Sequence, residues 1–101
     1  MRLTTSEREV LKRAAKHCFS GEAVIKLFGS RLHDQKRGGD IDLLIQTSIS
    51  NPSEIARSHI QFLSEVQREL GEQKIDVLID YPKRTANEAI FTIAQREGIL
   101  L

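Results

Sequence analysis

Apolar positions along this chain switch between a helical and a strand period. Over residues 5–19, Val10, Leu11, Ala14, Ala15 and Cys18 recur at three- and four-residue steps, which predicts a helix. Thr4 with Glu7, or Ser6 with Glu9, supplies a capping box, and Gly21 stops the helix. Residues 23–28, Ala-Val-Ile-Lys-Leu-Phe, predict a first strand that Gly29 breaks. Residues 40–47 predict a second. In it Asp40, Asp42, Leu44 and Gln46 share one face, and Ile41, Leu43 and Ile45 share the other, which is expected to meet the helices. The short connection between the two strands makes antiparallel pairing the economical choice.

A long helix follows. Asn51 is placed to cap it, with Pro52 as the first helical residue and Glu54 in the first turn. Ile55, His59, Phe62, Leu63, Val66 and Leu70 trace one face up to Gly71. Residues 73–80 then predict a third strand. A helix of about 18 residues spans roughly 27 Å and a strand of about eight residues roughly 26 Å. The helix therefore returns the chain to where the second strand began, making the third parallel to it and bringing Asp76 to the level of Asp40 and Asp42. Tyr81-Pro82 ends that strand. Thr85 with Glu88 marks the start of a last helix running to about Glu97, with Ala89, Ile90, Ile93 and Ala94 as its buried face. The tail Ile99-Leu100-Leu101 is apolar and offers either core packing or a partner surface.

Composition narrows the class. With 101 residues the chain makes one domain, 1–101, with one core. A net charge of +1 argues against nonspecific nucleic-acid binding. The single cysteine, Cys18, excludes an internal disulfide, and the N-terminal residues contain no apolar run typical of a signal peptide. No stretch approaches the roughly 18 apolar residues of a membrane helix. These features set the expectation of a cytoplasmic protein. Cys18 and the adjacent His17 point in different directions on a helix and make a poor metal pair. His59, beside an apolar stripe, is more often a packed side chain than a ligand.

Asp40, Asp42 and Asp76 are thus expected on one face of two neighbouring strands. Clustered carboxylates repel unless protonated or bridged by cations. Mg²⁺ suits them, being a hard ion completed by substrate phosphates and water. A pair of such ions serves phosphoryl or nucleotidyl displacement. Gly29 lets the backbone approach a phosphate. Ser30 and the amides of a short helix running from it toward His33 can donate to one. Arg31, Lys36 and Arg37 supply charge against a triphosphate. Each feature alone has a plainer explanation: a turn, a common acidic pair, an exposed edge residue, a solvated loop. Their order on a strand-turn-strand-helix-strand pattern favours the site.

Gly29-Ser30, then Asp40-Ile41-Asp42, then a later strand carrying Asp76, resembles the nucleotidyltransferase superfamily that includes DNA polymerase beta. The small size resembles its minimal nucleotidyltransferase (MNT) group, and the resemblance covers nearly the whole chain. It implies an α/β (α+β) nucleotidyltransferase fold, α-β-α-β-α-β, with a mixed three-stranded sheet in order 1-2-3 and helices packed on one face. It implies that Asp40 and Asp42 bind the metals, that Asp76 completes the site and helps activate the attacking hydroxyl, and that Gly29 and Ser30 hold the phosphates of ATP. Many minimal members are antitoxins encoded beside a helical HEPN ribonuclease toxin. Similar MntA-type antitoxins transfer AMP from ATP to a tyrosine of that toxin. The segment from Arg31 to Gly39 departs from the small-residue pattern common in the family, and Gly39 stands where serine is frequent.

The resemblance implies a Mg²⁺-dependent protein adenylyltransferase, with ATP as substrate and a small helical HEPN-type partner. An exposed sheet edge would admit a homo- or hetero-oligomer. Neither a membrane nor direct nucleic-acid binding is expected. The rival readings are an antitoxin or complex subunit that acts by contact alone, and a small-molecule nucleotidyltransferase whose substrate is bound by a separate helical subunit.

Overall fold

The first two helices begin where a side chain takes over amides that the first turn leaves unpaired. The computed structural model describes residues 3–29, 41–82 and 89–101. Helix α1 (Thr5–Cys18) starts at Thr4. The Glu7 N–H donates to the Thr4 hydroxyl at 3.0 Å and the Thr4 N–H donates to the Glu7 carboxylate at 2.9 Å. Of the two candidate boxes, this is the one that forms. Helix α2 (Pro52–Leu70) starts at Asn51, whose side-chain oxygen accepts from the N–H groups of Ser53 at 2.8 Å and Glu54 at 3.4 Å. Each cap contributes about 1 kcal/mol.

The two helices lie antiparallel. Gln73, just past α2, reaches Glu7; Glu69 accepts from Arg13 at 2.7 Å; and Glu65 lies 2.9 Å from His17. Residue numbers rise along one helix as they fall along the other. Beneath this polar seam the rings of Phe19 and Phe62 sit 6.1 Å apart at 59°. They join Leu11, Ala14, Ala15 and Val66 in the main core.

Strands β1 (Val24–Phe28), β2 (Ile41–Gln46), β3 (Ile75–Asp80) and β4 (Ile99–Leu100) form one mixed sheet in the order β3-β2-β1-β4. β1 and β2 pair antiparallel and β2 and β3 pair parallel, as the connection lengths require. The register sets Asp42 directly opposite Asp76 and, on the other side, opposite Phe28.

Two expectations are corrected. The sheet has four strands, not three. Beyond helix α3 (Ala89–Glu97) the chain turns at Gly98 and adds β4 to the outer edge of β1, pairing Ile99 with Leu27 and Leu100 with Lys26. The Leu101 N–H donates to the Ile25 carbonyl at 3.0 Å, its carbonyl accepts from Arg8 at 3.3 Å, and its side chain is buried in the main core. An edge β1 would leave a row of backbone groups unpaired, and the apolar tail covers them.

Nor do the helices share one face. α1 and α2 cover the face of Ile25, Leu27, Ile41, Leu43 and Ile45 as expected. α3 (Ala89–Glu97) covers the opposite face, where Phe91 and Ala94 pack on Phe28, Leu44 and Leu78. Leu44 shares its face with Asp42 and is 0% exposed, so that face needs a cover of its own. The buried side of α3 is accordingly Phe91 and Ala94, whereas Ala89, Ile90 and Ile93 are exposed. The start of this helix at Thr85 and Glu88, and the short helix from Ser30, lie outside the described residues. Among the described residues no helix is long and apolar enough to cross a membrane.

Candidate active site

Three segments far apart in sequence converge at the end of β1. Gly29 follows directly on Phe28, with a backbone φ of +79°. Asp42 is the second residue of β2 and Asp76 the second residue of β3. The parallel register puts these two aspartates side by side on neighbouring strands, a separation of about 4.8 Å between backbones. Gly29 lies hard against Asp42: a Cβ built on it would fall 2.2 Å from Oδ2 and 3.0 Å from Cγ of the aspartate. Any side chain larger than hydrogen at this position takes the space of the carboxylate. The glycine is therefore part of what shapes the Asp42 position, and its positive φ is a conformation that other residues adopt with difficulty.

Gly29, Asp42 and Asp76 line one cleft of about 580 Å³. That volume lies within the range of roughly 300–1,000 Å³ typical of small-molecule sites. The floor is Phe28, Val77 and Leu78, and the far wall is Ile90, Ile93 and Glu97 of α3. Ile90 and Ile93 are 37% and 38% exposed, so the wall is apolar and open to solvent. Farther along β3, Asp80 is tied down differently. It accepts from Gln95 of α3 at 2.8 Å and from Gln46 of β2 at 3.4 Å. These bonds pin the helix over the sheet and separate a structural aspartate from the cleft pair.

Of the residues singled out from the sequence, the structure brings together Gly29, Asp42 and Asp76. Asp40, Ser30, Arg31, Lys36 and Arg37 lie outside the described residues. Glu97 and the two isoleucines were not anticipated as lining residues. Their spacing carries the signal: Ile90, Ile93 and Glu97 stand three and four apart and so share one stripe of α3. Reading that stripe required knowing that α3 crosses the aspartate face.

The donor set bears on which cation would suit the cleft. Asp42, Asp76 and Glu97 offer carboxylate oxygen only, the ligand chemistry of a hard divalent ion such as Mg²⁺. Asp42 and Asp76 are adjacent by register, but Asp42, Asp76 and Glu97 do not bring their carboxylate oxygens together as a set of three among the described residues. Compared with known proteins, the chain matches no family model and no curated protein sequence.

Proposed function

We propose that this protein is a Mg²⁺-dependent nucleotidyltransferase of the minimal type, moving AMP from ATP to a hydroxyl of a partner protein. The observation that carries the reading is the meeting of Gly29, Asp42 and Asp76 on one cleft from three separate segments. In this reading Asp42 and Asp76 hold the metal, and Asp40 joins them. Bound there, Mg²⁺ supplies charge stabilisation to the phosphoryl oxygens on either side of the breaking bond.

The chain's own residues do the rest. Gly29, whose missing side chain makes room for the Asp42 carboxylate, offers a phosphate only its backbone N–H, and Ser30, Arg31, Lys36 and Arg37 belong to the same phosphate-binding role. Ile90 and Ile93 give an apolar wall against which a nucleotide base can shed water. The acceptor hydroxyl oxygen attacks the α-phosphorus, a new O–P bond forms, and the bond to the β-phosphate oxygen breaks to release pyrophosphate. Asp76 accepts the hydroxyl proton. A small helical partner of the HEPN type supplies that hydroxyl, and the cytoplasm is the compartment that fits a thiol left unpaired.

Binding tests this reading before any acceptor is identified. Calorimetric titration of the chain with a non-hydrolysable ATP analogue is expected to give heat only when Mg²⁺ is present. Asp42→Asn and Asp76→Asn should abolish it, while Asp80→Asn, which alters the pinned aspartate, should leave it intact. Binding that ignores Mg²⁺, or that survives both cleft substitutions, overturns the proposal.

A further inference from the structure

Away from the cleft, on the outer seam of α1 and α2, three metal-ligating side chains meet. Glu65 of α2 reaches across to the end of α1 with both carboxylate oxygens. Oε1 lies 2.9 Å from His17 Nδ1, and Cys18 Sγ donates to Oε2 at 3.8 Å. The three ligand atoms all lie within 4.8 Å of one another. Their adjacency in sequence makes His17 and Cys18 a poor pair, and Glu65 is what turns them toward a common point. Among the described residues this is the one set of three His, Cys, Asp or Glu side chains whose ligand atoms converge in this way.

We infer that His17, Cys18 and Glu65 form a binding site for a borderline-soft divalent transition ion, with Zn²⁺ as the reference ion. Zinc takes imidazole nitrogen at about 2.0–2.1 Å, thiolate at about 2.3 Å and carboxylate oxygen at about 2.0–2.2 Å in a tetrahedron. Those bond lengths place ligand atoms on a shared ion about 3.3–3.7 Å apart. The 2.9 Å contact is to Oε1 and the 3.8 Å contact to Oε2, so taking up one ion requires the three side chains, now within 4.8 Å of one another, to rotate from this pairing toward a common point. A thiolate and a carboxylate together neutralise a divalent ion.

The surroundings leave the fourth position open. The same three residues line a cleft of about 330 Å³ with Ile60, Gln61, Ser64 and Arg68. Water or an anion completes the shell there, and the Arg68 guanidinium favours an anion. Calcium and magnesium do not suit this set, because a thiol and an imidazole offer them little. The site is independent of the aspartate cleft: its ligands come from the opposite layer of the fold, and its chemistry is soft where that of the cleft is hard. Zinc here would clamp the C-terminal end of α1 to the C-terminal third of α2.

Co²⁺ is the probe that separates the two sites. Titrated into the full chain carrying Asp42→Asn and Asp76→Asn, one equivalent is expected to give the intense visible bands of tetrahedral cobalt. A near-ultraviolet thiolate charge-transfer band should accompany them, and Zn²⁺ should bleach both. Cys18→Ser is expected to remove the charge-transfer band and weaken Zn²⁺ binding by more than the roughly 10–100-fold that loss of an outer-shell partner costs. His17→Ala, at a side chain 74% exposed and so without consequence for folding, should weaken binding comparably. Glu69→Gln, which breaks only the neighbouring Arg13 ion pair, should leave binding unchanged. A cobalt spectrum without the thiolate band, or zinc affinity unchanged in Cys18→Ser and His17→Ala, overturns the assignment.

Discussion

Replacing Gly29 by alanine imposes two separable costs. The first is conformational: at a φ of +79° an L-residue is strained, by about 1–3 kcal/mol. The second is a collision, since the new Cβ falls 2.2 Å from Oδ2, 3.0 Å from Cγ and 3.2 Å from Cβ of Asp42. Non-bonded carbon contacts are comfortable at about 3.5–4.0 Å, so the carboxylate has to swing out of its rotamer, which costs a further ~0.5–1.5 kcal/mol. Gly71→Ala, at a φ of +80° and ψ of −174° where an added Cβ meets nothing within 4 Å, gives a collision-free reference for a positive-φ glycine. Urea denaturation of the wild type, Gly29→Ala, Asp42→Ala and the double variant completes a cycle. Gly29→Ala is expected to destabilise the chain through both strain and the collision with Asp42. In the Asp42→Ala background its cost should fall as the collision is removed, leaving a coupling of about 1 kcal/mol at unchanged m-value. Zero coupling would refute the reasoning that Gly29 shapes the position of the aspartate.

The remaining predictions concern the second layer and pH. Leu44→Ala removes a fully buried side chain from beneath Phe91 and is expected to cost about 2–5 kcal/mol. Hydrogen exchange should then quicken more in α3 than in α1 or α2, and equal quickening throughout would argue against a separate small core under α3. His59 is half-buried, and desolvation pushes its imidazole below the ordinary value of 6.5. The unfolded chain therefore takes up this proton first as pH falls, and stability is lost below 6.5, the loss being complete once pH passes under the folded-state value. Thermal melts of wild type and His59→Gln should run parallel above pH 7 and diverge below it, with the wild type losing more. Parallel curves throughout would exclude the contribution.

The helices of the main core were legible because their signals are local. Thr4-Glu7 and Asn51-Pro52 mark starts that any solvent-facing helix needs, and the stripe from Ile55 to Leu70 follows from 3.6-residue geometry. The parallel setting of β3 followed from the matched lengths of a helix and a strand. The register that puts Asp76 opposite Asp42 is finer than that argument reaches. The single helix face was implied by the family resemblance, and the spacing of α3 itself admits two stripes. Ile90-Ile93 is as well spaced as Phe91-Ala94, and only the burial of Leu44, Phe28 and Leu78 on the aspartate face decides between them. The consecutive run Leu43-Leu44-Ile45 carried that information, since a strand covered on both faces loses its alternation. β4 is two residues long and depends on tertiary pairing with β1, which leaves no periodic trace. Glu65 meeting His17 and Cys18 depends likewise on how two helices lie, not on either sequence segment.

Nucleotidyl transfer at the Asp42–Asp76 pair is tested most directly with ATP labelled at the α-phosphate. The chain and Mg²⁺ are incubated with the product of the adjacent reading frame, and label on that product is followed by gel and by intact mass. The predicted result is a partner heavier by one nucleoside monophosphate, with pyrophosphate released in equal amount. Neither should be seen with Asp42→Asn or Asp76→Asn, and both should be retained with Asp80→Asn. A partner that is bound and inhibited yet carries no label would contradict the assignment of catalysis to this cleft and leave contact alone as the mode of action.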